Sequence, residues 1–103
     1  MGLLGKKETK SLEQLAREVI VANGIKIDPS FNDPKYISFN IVGIGTSEKN
    51  FQSAIDHFKK HLVDSSPAYV SEIKEDTWCY RPTGELRPRI SAIGYTFKKP
   101  TAA

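Results

Sequence analysis

Apolar positions in the first third of the chain recur with a helical period. Leu12, Leu15, Ala16, Val19 and Ile20 fall on one face, which predicts a helix over 11–23. Ser11 is a suitable N-cap with Gln14 three residues on, the arrangement of a capping box. Gly24 after Asn23 supplies the stop. Glu13 and Arg17, four apart, add a little support. Ile25 and Ile27 then alternate and allow a short strand. Two Asp-Pro steps, Asp28-Pro29 and Asp33-Pro34, frame Phe31 in a loop that is expected to leave the first helix free to pack at a variable angle.

The period changes to two at residue 36. Ile37, Phe39 and Ile41 point one way; Tyr36, Ser38 and Asn40 point the other. The strand ends in "IVGIG", where Val42 and Ile44 break the alternation near Gly43. A second helix is expected from about 47 to 62, with Phe51, Ala54, Ile55, Phe58 and Leu62 as its apolar stripe and Thr46 or Ser47 as its cap. Residues 68–80 and 89–97 read as strands. "RPTGELRP" between them gives an antiparallel hairpin with a fairly long connection.

The order predicts an α+β fold of two layers, a leading helix followed by a β-α-β-β core with a three- to four-stranded, mainly antiparallel sheet. Residues 11–98 are expected to form one domain, between a basic N-terminal tail (1–10, with Lys6, Lys7 and Lys10) and a C-terminal tail (99–103, after Lys98). One sheet face would pack on the helices. The other would display Tyr36, Ser38, Asn40 and hairpin aromatics.

Composition narrows the classes. The 103 residues are 39% hydrophobic and 26% charged, a globular balance rather than a disordered one. The single cysteine excludes a disulfide scaffold, and the absence of a long apolar run or signal sequence predicts a soluble, cytoplasmic protein with no membrane partner. A net charge of +3 and a pI near 9.0 permit nucleic-acid binding without requiring it.

Four constellations could carry chemistry. "GIGTSE" at 43–48 has the layout of a phosphate-binding turn, with Gly45, Thr46 and Ser47 as anion-binding candidates. Glu48 stands where a dinucleotide fingerprint needs glycine, and no Gly-Lys follows for a P-loop. A plain strand-to-helix joint explains the same residues. His57 and His61, at i and i+4, have metal-ligand spacing but no further ligand at motif distance. Cys79 lacks an evident base and reads as a small core residue. No catalytic set and no cofactor is expected.

Trp78, Tyr80, Arg81, Arg87, Arg89 and Tyr95 form the richest group. Alternation puts Trp78 and Tyr80 on one face of the hairpin. Trp, Tyr and Arg are favoured anchors of protein interfaces, and stacking rings beside arginines also suit single-stranded nucleic acid. No RNP or helix-turn-helix signature is present. The same residues could also fill the core and flank a turn.

The β-α-β-β order, with "GTSEKNFQSAIDHF" after the first strand and "IGYTFKK" closing the last, resembles the dodecins, small oligomeric flavin-binding proteins. The resemblance covers residues 36–98, is one of order rather than motif, and does not extend to the leading helix. It implies self-assembly. The expected function is a non-enzymatic binding and assembly module acting through protein contacts, self-association first, on the open sheet face and the 68–97 hairpin. Nucleic-acid binding through the hairpin and tails is the alternative, and ligand or anion binding at 43–48 a third.

Overall fold

The computed structural model describes residues 10–97; residues 1–9 of the expected N-terminal tail, Lys98 and the expected C-terminal tail at 99–103 lie outside the described residues. Two helices and four strands follow in the order α1 (Leu12–Ala22), β1 (Lys26–Ile27), β2 (Tyr36–Ile44), α2 (Phe51–Ser65), β3 (Tyr69–Tyr80) and β4 (Glu85–Phe97). The strands form one mixed sheet in the spatial order β1-β3-β4-β2. Only β1 pairs parallel, to the start of β3; the remaining pairs are antiparallel. This is the expected α+β class.

α1 begins as its sequence dictates. The Ser11 hydroxyl accepts from the Gln14 amide at 3.2 Å, and the Gln14 side chain accepts from the Ser11 amide at 2.9 Å. These bonds satisfy two donors that the first turn leaves without helical partners. β3 supplies a third partner: the Glu75 carboxylate accepts from the Glu13 amide at 3.2 Å. A negative charge there also complements the helix dipole. The loop after β1 does not leave α1 free. Asp28 donates its amide to Val70, and Asp28 and Asp33 side chains accept from the amides of Ser30 and Lys35.

α2 starts four residues later than expected. Asn50, not Thr46 or Ser47, is its N-cap, accepting from the Ser53 amide at 3.0 Å. Residues 46–49 form a turn that ends in Lys49 at φ 60. The helix runs on to Ser65, and Ser66 closes it in the left-handed region at φ 45. The hairpin connection is short: four residues, 81–84, with Gly84 at φ 71. Residues 85–88 lie in β4 and extend its pairing with β3 down to Glu85 opposite Tyr80.

Both helices cover one sheet face. The core joins Leu12, Ala16 and Ile20 of α1, Ala54, Ile55, Phe58 and Leu62 of α2, and Ile41, Val70, Ile90 and Ala92 of the sheet. Val70 and Ile73 are an odd number of residues apart, so strict alternation would send them to opposite faces. A bulge between Ser71 and Lys74 inserts one residue and returns Ile73 to the core side, with Glu72 at φ 51. The same parity change fixes Lys74, Asp76, Trp78 and Tyr80 on the open face.

α2 lies very close to β2. A Cβ at Gly43 would overlap the Ala54 carbonyl and stand 2.6 Å from the Phe58 amide nitrogen. At Gly94 the obstacles are softer, the side-chain ends of Ile41 and Phe39 at 2.8 and 2.9 Å. Gly43→Ala is therefore expected to destabilise the fold by about 3 kcal/mol and Gly94→Ala by about 1 kcal/mol, since backbone cannot give way as a rotamer can. Urea denaturation measures both; equal costs would contradict this packing.

Candidate functional site

The open face of the sheet holds two distinct patches and a polar middle. At one end Phe31 folds back from its loop onto the strands. Its ring lies 4.4 Å from Tyr69 in a stacked pair, 4.7 Å from Tyr95 and 5.0 Å from Tyr36; Tyr36 in turn meets Phe97 at 5.4 Å. The Tyr95 hydroxyl is hydrogen-bonded to the buried Ser71 hydroxyl at 3.1 Å. At the other end Trp78 and Tyr80 lie 5.8 Å apart, and the Arg87 guanidinium sits 4.0 Å over the Tyr80 ring. A shallow depression of about 320 Å³ between the patches is bordered by Asn40, Val42, Lys74, Arg89 and Ser91.

The six residues expected to act together are thus divided. Trp78, Tyr80 and Arg87 form one cluster, with Arg89 two residues along the same face of β4. Tyr95 belongs to the other patch, eight residues further along β4, a distance of roughly 26 Å at strand rise. Arg81 is exposed in the turn. Phe31 reads in the sequence only as a loop residue, because its place on the face depends on the Asx turns that bend that loop.

Both face arginines are engaged. Arg89 binds Asp76 through two hydrogen bonds of 2.8 and 2.6 Å, the bidentate geometry that guanidinium and carboxylate favour. Arg87 Nε bonds Glu85 at 2.8 Å. The hydrogen bond from Arg89 holds the Asp76 carboxyl below its ordinary value, and that from Arg87 does the same for Glu85. These pairs neutralise Arg87 and Arg89, two of the basic residues that the sequence places on the hairpin.

Three backbone donors of the 43–48 turn are occupied. Gly45 donates to the Pro88 carbonyl, Thr46 to the Ser53 hydroxyl at 2.9 Å, and Glu48 to the Glu85 carboxylate at 3.4 Å. An internal carboxylate already stands where an anion would approach. Gly45 is also packed close, with a Cβ there meeting the Asn50 carbonyl and Pro88 at 2.8 Å. Ser47 accepts from the Asn50 amide through its carbonyl.

His57 and His61 each spend one ring nitrogen on the backbone. Each ring uses Nδ1 to accept a backbone amide of β2: Val42 to His61 and Ile44 to His57, both at 3.2 Å. Each proton therefore sits on Nε2. Among the described residues no group of three His, Cys, Asp or Glu side chains is placed to hold a metal ion. Cys79 is exposed rather than in the core. It pairs with Leu86, itself 54% exposed, on the helix side of the hairpin end, where no helix reaches.

A cleft of about 480 Å³ opens between that hairpin end and the helices. Leu12, Phe51, Leu86 and Pro88 form its apolar floor, and Glu48 and Glu75 stand at its rim. It joins the starts of α1 and α2 to the middle of the hairpin, segments far apart in the sequence, which is why no local pattern announces it.

Comparison with known proteins finds no matching family model, no matching curated protein and no matching solved structure. The resemblance to dodecins rests on element order alone.

Two outcomes check this geometry. In His61→Phe the Val42 amide loses its acceptor, so its hydrogen exchange should accelerate at least tenfold while the fold loses about 1 kcal/mol; unchanged exchange at Val42 would refute the bond. Asp76 offers the second test. Its folded value is depressed, so its contribution to stability is present above the ordinary value of 3.8 and is lost as the pH falls through the folded value. Titration of the Asp76 carboxyl by NMR should give a midpoint below 3.8 that rises in Arg89→Gln.

Proposed function

We propose that the protein is a non-enzymatic binding and assembly module that associates with further copies of itself through the open sheet face and the end of the β3–β4 hairpin. The observation that carries this reading is the Trp78, Tyr80 and Arg87 cluster on a face that no helix covers, with its guanidinium already held by Tyr80 and Glu85. Aromatic rings and arginine in a fixed arrangement lose little conformational freedom on docking and make strong interface anchors.

The internal ion pairs favour protein over nucleic acid. Phosphate binding would draw on Arg87 and Arg89, and both are matched by a carboxylate on the same face. A cytoplasmic setting belongs to the same reading, since an exposed lone thiol at Cys79 suits a reducing compartment. No helix among the described residues is long and apolar enough to cross a membrane.

Sedimentation equilibrium over a range of concentrations tests the proposal. The wild type should exceed the 11.5 kDa of one chain, and Trp78→Ser should weaken association by about tenfold or more. A wild type that stays monomeric at high concentration would refute it. Binding to single-stranded DNA or RNA that falls steeply with salt and is lost in Arg87→Gln would favour the nucleic-acid alternative instead.

A further inference from the structure

The sheet has two free edges, and the chain treats them differently. Beyond its short pairing with β1, the outer edge of β3 carries Glu72, Lys74, Glu75 and Asp76, together with the bulge after Ser71. Charges and bulges are the usual means of keeping a strand edge from pairing with another chain. β2, at the opposite edge, has no charged residue and no proline from Tyr36 to Ile44, and its pairing with β4 is regular throughout.

Register shows which β2 groups face outward. The amides of Val42 and Ile44 reach the histidines of α2, so the even-numbered residues present their N–H and C=O groups away from β4. His61 and His57 close that part of the edge. Tyr36 donates its amide to the Asp33 carbonyl at 3.0 Å. The amides of Ser38 and Asn40 share this outward parity and have no partner among the described residues. Both residues are exposed, and Ile37 between Tyr36 and Ser38 is 51% exposed.

We propose that this free half of the edge, Tyr36–Asn40, pairs antiparallel with the same segment of a second copy of the chain, about a two-fold axis at Ser38, and joins two four-stranded sheets into one of eight strands. Four backbone bonds join the copies. Each Ser38 amide meets the Ser38 carbonyl of the other copy, and each Asn40 amide meets the Tyr36 carbonyl. In this register the Tyr36 amide would meet the Asn40 carbonyl of the other copy, but Asp33 already holds it, so that carbonyl is left to solvent. Ile37 comes opposite Phe39 on the helix side, and Tyr36 opposite Asn40 on the open side. A segment without charge meets itself without like-charge repulsion, which favours a second copy as occupant. The two-fold symmetry is that of most dimers. The histidines confine the pairing to this segment by closing the edge beyond Asn40.

This contact is separate from docking through the open face, and the experiment separates the two. In a Cys79→Ser background, Ser38→Cys should form a covalent dimer under mild oxidation. Paired residues of this kind stand about 5.5 Å apart at Cα, within disulfide reach. The bond should form equally when Trp78→Ser is added, and Val42→Cys, behind the histidine cap, should not form it. Ser38→Pro removes the outward donor without touching the bonds to β4, and Asn40→Lys places a charge on each side of the axis. Each should weaken association at least tenfold by sedimentation, and the second stands if proline perturbs folding. Association unchanged by both variants, or a Ser38→Cys protein that stays monomeric on oxidation, would overturn the edge proposal. If Trp78→Ser alone abolished association, the face reading would survive and the edge proposal would fall.

Discussion

The arrangement depends on how near α2 can come to β2. At Gly43 the helix backbone, the Ala54 carbonyl and the Phe58 amide, takes the space of a side chain. Any Cβ there would push the helix out by a fraction of an ångström or more. Phe58 and Leu62, both fully buried, would then be drawn away from the core they share with the sheet, and packing at native density tolerates such gaps poorly. The same approach sets the edge chemistry. Histidine side chains are short, and they reach the Val42 and Ile44 amides only because the helix axis is drawn onto the strand. One missing side chain thus links the core to the protection of the sheet edge.

Much of this was legible because it is local. The capping box at Ser11 and Gln14, the stripe of α1, the alternation of Ile37, Phe39 and Ile41, and the order of elements each follow from neighbours in the sequence. The start of α2 was misplaced because Thr46, Ser47 and Asn50 are all competent caps. The choice among them is made by the closure of the turn on Pro88, Ser53 and Glu85, which is tertiary. The hairpin connection is shorter than the stretch "RPTGELRP" suggests, because its second half pairs with β3. Pro88 is buried within β4 opposite Thr77, and its carbonyl accepts from Gly45.

The candidate site was legible in composition but not in grouping. Trp78 and Tyr80 were correctly set on one face by alternation. Tyr95 shares that face, yet the length of β4 separates it from them and places it beside Phe31, a residue whose position comes from a loop. The histidines have a structural use that their spacing alone does not reveal. Their i, i+4 spacing does place two rings on one side of a helix, but two amides of one strand edge, also two residues apart, are what meets them.

The arginine pairs decide what kind of surface the open face is. A guanidinium free in solvent can exchange water for a phosphate at little cost. Arg89 would first have to leave a bidentate bond to Asp76, and Arg87 would have to leave both Glu85 and the Tyr80 ring. The carboxylates left behind would then repel the incoming phosphate. A protein surface asks for no such exchange: it can cover pairs whose hydrogen bonds are already made, and truncating one partner rather than burying both is what becomes costly. The field of the face points the same way, since both of its arginines have their counter-charge within hydrogen-bond distance and the potential that remains to steer a polyanion is reduced.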